Sequence, residues 1–67
     1  MEKSINDWVA TIKSDRGQSI QEVVWDLILQ GSGKNVFLNI ISGLEPYHPD
    51  LAMFFAREVI RQTFKEI

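Results

Sequence analysis

The sequence predicts an all-α fold: a small bundle of four short helices, over about residues 4–13, 19–30, 35–43 and 49–66, completed by dimerisation. Three observations predict it. Apolar residues recur three and four positions apart along the chain, the spacing of one helix face. Glycine and proline gather between the periodic stretches, at Gly17, Gly31, Gly33, Pro46 and Pro49, where they punctuate helices rather than break them. The closing stretch, His48 to Ile67, spreads its apolar residues over an arc of roughly 220°, about twice what a helix on the outside of a globule needs.

Ser4 followed by Asp7 is a helix start of the capping-box kind, with Asp in place of the usual Glu. Ile5, Trp8, Val9 and Ile12 then fall at i, i+3, i+4 and i+7. So short a helix depends on tertiary contacts to persist. The polar stretch Lys13 to Gln18 ends it, with Gly17 the expected left-handed residue. Ser19 and Glu22 form a full capping box for the second helix. Its main face is Ile20, Val23, Val24, Leu27 and Ile28, with Trp25 and Leu29 as a second stripe that is core or interface, core being the commoner place for such a stripe in so small a chain. The β-branched density there would also suit a strand, but capping box and spacing agree on a helix.

After the break at Gln30–Lys34, Val36, Phe37, Ile40, Ile41 and Leu44 share one side of the third helix, and Gly43 is its expected stop. The bracket Pro46–Pro49 stiffens the last connection. Pro49 suits the first turn of the fourth helix, with His48 as cap and Asp50 near the positive end of the helix dipole.

At 67 residues the chain is a single domain near the lower size limit for folding unaided, yet 45% of it is apolar. That is more apolar material than so small a core absorbs, and it points to a homo-oligomer. Without cysteine there is no disulfide framework or thiolate site, which fits a reducing cytoplasm. No secretory leader is recognisable in Met1 to Lys13, and no run approaches the roughly 18 apolar residues of a membrane span. A net charge of −2 weighs against nonspecific attraction to nucleic acid.

Chemistry has few players. His48 is the single histidine; Glu45, His48 and Asp50 share one proline-bracketed loop on which three ligands would struggle to converge. The reading is therefore no enzyme, no metal and no cofactor. Gly31 to Asn35 lacks the flanking Gly and Ser/Thr of a phosphate loop. The tetrapeptide Tyr47-His48-Pro49-Asp50 resembles the signature loop of J-domains, helical co-chaperones that stimulate Hsp70 ATPases. That resemblance covers four residues, follows a segment with no basic residue, and is equally a helix cap with proline in the first turn.

What remains is protein–protein interaction by a small regulator, inhibitor or adaptor acting through its C-terminal helix. Phe54, Arg57, Arg61 and Lys65 form an apolar anchor with basic neighbours for another protein. Met53, Ile60, Phe64 and Ile67 are the self-association stripe. The alternative is a helix-turn-helix DNA-binding regulator using helices two and three, whose second helix offers Asn35, Asn39 and Ser42 but no Arg to the bases.

Overall fold

The computed structural model describes residues 4–64, and it is all-helical there: α1 (Ile5–Ser14), α2 (Ile20–Leu29), α3 (Lys34–Leu44) and α4 (Pro49–Thr63). The helices pack as a chain of pairs that departs from sequence order. α3 lies against both α1 and α4, and α4 lies against α2. Each helix contributes its i, i+3, i+4 face to one core, in which Ile12, Val24, Leu27, Ile40, Leu44 and Phe55 have almost no exposure. Phe37 of α3 meets Phe55 of α4 with ring centroids 6.2 Å apart and planes tilted at 48°, within the range where aromatic pairs are favourable.

The helix ends follow from the residues placed there. Ser4 Oγ accepts from the Asp7 N–H, and Asp7 Oδ2 accepts from the Ser4 N–H, both at 3.2 Å, so the Asp variant of the capping box forms in full. α1 closes with the Gly17 N–H donating to the Ile12 carbonyl and the Arg16 N–H to that of Lys13, the paired bonds of a Schellman ending. Both Arg16 (φ 58) and Gly17 (φ 84) are left-handed, one more residue than expected. α2 ends in the same motif, with Gly31 (φ 78) left-handed and Ser32 N–H donating to the Leu27 carbonyl.

The box expected at Ser19 does not form. Turn bonds from Gln18 N–H to the Asp15 carbonyl and from Ile20 N–H to the Gly17 carbonyl hold Ser19 at φ −89, ψ 1, away from the extended backbone a capping serine needs. Its hydroxyl meets no partner at good hydrogen-bond geometry. It nonetheless lies near enough to the Asp15 carboxylate to hold that group below the usual carboxylate range.

Gly43 is not the stop of α3, which runs through it to Leu44. A Cβ at Gly43 would sit 2.9 Å from Val9 Cγ2, so this glycine makes room for Val9 of α1 against α3. The stop comes after it, where the Leu44 carbonyl accepts from the N–H groups of Tyr47 and His48 before Pro49 starts α4.

Candidate functional site

α4 has two sides of different character. Leu51, Ala52 and Phe55 are buried, and Val59 packs against the core beside them. Successive residues turn by 100°, which places Met53, Ile60 and Phe64 together on the opposite side, within about 40° of one another. They are 52%, 56% and 78% exposed. Arg57 and Phe54 follow on the flank toward α2, with Phe54 half exposed at 49%. Lys65 and Ile67, expected to extend the two stripes, lie outside the described residues.

Of the two places open to Trp25 and Leu29, the core is not where they lie; both are exposed on α2. α2 meets the rest of the fold through Ile20, Val23, Val24 and Leu27, and its neighbour α4 covers one side only. Among the described residues eight large apolar side chains are exposed, and six of them lie on α2, on α4 or, as Phe64, at the C-cap of α4, with Leu38 and Tyr47 the exceptions. Tyr47 is not idle, since the Lys13 ammonium sits 5.1 Å from its ring centroid, a cation–π arrangement that spacing could not reveal.

Arg61 is already engaged. Its guanidinium forks onto the Glu58 carboxylate one turn earlier, Nε donating to Oε1 and the terminal nitrogen to Oε2. This hydrogen bonding to Arg61 is the main cause that holds the Glu58 carboxyl below its ordinary range. The Gln62 amide nitrogen donates to Glu58 Oε2 at 2.7 Å and to the Gln21 carbonyl at 3.2 Å, tying α4 to the first turn of α2. Gln62 Oε1 is buried there without a partner. Arg57 makes no ion pair among the described residues.

Two clefts run between α2 and α4 and share Gln21 and Arg61. One, beside the α1–α2 turn, is walled by Phe54, Arg57 and Ile60; the other by Glu22, Trp25 and Asp26. Glu58 also lines the first, where it is paired with Arg61, so the charge left unpaired there is that of Arg57, against Glu22 and Asp26 in the other. Glu45, His48 and Asp50 do not converge, and no three His, Cys, Asp or Glu among the described residues stand close enough to hold a metal ion. No described helix is long and apolar enough to cross a membrane. No family model, curated protein or solved structure matches this chain.

Proposed function

We propose that this chain is a non-enzymatic protein–protein interaction module of the cytoplasm. It is a small regulator, inhibitor or adaptor that works through α4 and is itself a homodimer. The observation that carries this reading is the outward side of α4, where Met53, Ile60 and Phe64 lie more than half exposed on one line. A contiguous apolar strip with charged neighbours is the usual anatomy of a contact surface. Phe54 and Arg57 adjoin it and extend the same surface toward α2.

The helix-turn-helix alternative gains nothing from the packing. That motif needs its two helices seated on each other, whereas α2 and α3 both make their principal contacts with α4 or α1. Sedimentation equilibrium over about 1–500 µM, the range of a modest self-affinity, tests the proposal. The expected mass rises toward twice 7.7 kDa, and a Met53→Ser/Ile60→Ser variant of equal helicity stays at one chain. A wild-type mass fixed at 7.7 kDa across that range would overturn the reading.

A further inference from the structure

We infer that the second copy covers the α2–α4 face, and that it does so by crossing the basic wall of one protomer with the acidic wall of the other. This rests on the self-associating reading above and specifies its geometry. A two-fold interface is made of one patch meeting itself, so each residue on one half must suit the residues on the other half. The α2–α4 face has that property. Phe54 and Arg57 stand at one end; Glu22, Trp25 and Asp26 stand at the other. Gln21 and Arg61, shared by both clefts, lie at the middle where a two-fold axis would pass.

Rotation about such an axis lays Arg57 of one copy over Glu22 and Asp26 of the partner, and Phe54 over Trp25. The reciprocal pair forms on the other side of the axis. Like meets unlike in both contacts, and the exposed indole also offers a face on which the arginine can stack. Within one chain these charges are unspent: among the described residues the only ion pair is Arg61 with Glu58. A standard interface takes about 800 Å² from each partner, roughly a sixth of the 4782 Å² surface of this chain.

Other faces fit a second copy less well. The outer side of α3 carries a single large exposed apolar residue, Leu38, among Lys34, Asn35, Asn39 and Ser42, too little apolar surface to anchor a second copy. Tyr47 is occupied by Lys13.

Charge exchange tests the pairing. Arg57→Glu makes both walls acidic, and Glu22→Arg/Asp26→Arg makes both basic. Each of these variants should self-associate roughly tenfold more weakly or worse, because like charges then face each other twice. All three substitutions in one chain exchange the two signs and move the net charge from −2 to 0, since −2 − 2 + 4 = 0. That triple variant should recover association to within about threefold of the wild type. Far-UV circular dichroism confirms folding; if a variant does not fold, salt dependence of the wild-type dimer gives the answer, with dissociation expected to rise with ionic strength. A wild-type dimer that ignores salt and both charge variants overturns this pairing while leaving the interaction-module reading intact. So does a triple variant that stays apart. A wild-type monomer overturns both.

Discussion

Replacing Gly43 by Ala tests the seating of α1 on α3, because two effects of known sign compete there. Gly43 lies inside α3 with ordinary helical backbone, so alanine should gain about 0.8–1 kcal/mol of helix propensity. Against this, the new methyl would stand 2.9 Å from Val9 Cγ2 and 3.5 Å from Cγ1. Val9 is buried and β-branched, with a single stiff χ1, so it has no far end to swing aside. Overpacking of this kind costs about 1–3 kcal/mol, and the net expectation is a loss of about 1 kcal/mol. In a domain of this size that lowers Tm by about 4–8 °C. Val9→Ala removes the obstructing methyls at a cost of its own, and in that background Gly43→Ala should turn stabilising by about 0.5–1 kcal/mol. The sign reversal, read from urea or thermal unfolding of the four-member cycle, is the diagnostic result. A stabilising Gly43→Ala in the wild-type background would show that α1 does not pack at Gly43, and the α1–α3 contact would have to be redrawn.

Three further outcomes are expected. Arg16→Gly should stabilise by about 0.5–1 kcal/mol, the ~1–2 kcal/mol of left-handed strain at φ 58 less the ~0.5–1 of added chain entropy; a loss in chemical denaturation would contradict the Schellman ending of α1. Phe54→Ala, at a half-exposed position, should cost about 1–2 kcal/mol in the isolated fold rather than the ~3–5 of a core phenylalanine, while weakening self-association more than it weakens folding. The third concerns pH. The folded-state pKa of Glu58 is lowered, chiefly by Arg61, so the unfolded chain binds that proton more readily. Its contribution is complete above the ordinary value of 4.5 and is lost as pH falls below it. Asp15 adds the same trend below 3.8. Thermal midpoints measured from pH 6 to pH 3 should therefore fall, with Glu58→Gln flattening the upper part of that fall; an unchanged slope would remove the Arg61 fork from the account.

Helix number, order and approximate bounds were legible because apolar spacing and caps are local properties. Ile12, Val24, Leu27, Ile40 and Phe55 were legible as core for the same reason. The failures share one cause, which is that periodicity measures how wide an apolar stripe is but not which neighbour covers it. Trp25 and Leu29 continue the stripe of α2, yet only α4 comes to that helix from beyond the core face, and it leaves their side open. Gly43 reads as a stop by local rules, and only the distant Val9 shows that its missing side chain serves packing. Ser19 has the right partner at the right spacing, but the turn that precedes it fixes dihedrals a cap cannot use. Of the proposed contact residues, Met53, Phe54, Ile60 and Phe64 were placed outward correctly by helical geometry. The pairing of Arg61 with Glu58 is not legible, because a fork onto a residue three positions away on a polar arc leaves no separate mark in the apolar pattern.

The exposed apolar residues also set how tight a dimer can be. Trp25, Leu29, Met53, Phe54, Ile60 and Phe64 are each about half exposed or more. Full burial of such a side chain from water is worth about 1.5–3 kcal/mol, so each has about 1 kcal/mol still to gain. Six on each of two protomers give about 12 kcal/mol. Association costs about 4–15 kcal/mol in lost translation, rotation and side-chain freedom. At the low end of that cost the difference leaves about 8 kcal/mol, which corresponds to a Kd of about micromolar. A fold held together only as an obligate dimer would need far more than this, and the buried cluster from all four helices shows that each protomer has a core of its own. The proposed self-association is on these figures a reversible contact, with monomer and dimer both expected across accessible concentrations. Dilution should therefore separate the protomers before it unfolds them: sedimentation should report dissociation at concentrations where circular dichroism still reports intact helices. Loss of helix in step with loss of dimer would refute that order and make the α2–α4 face part of the folding core.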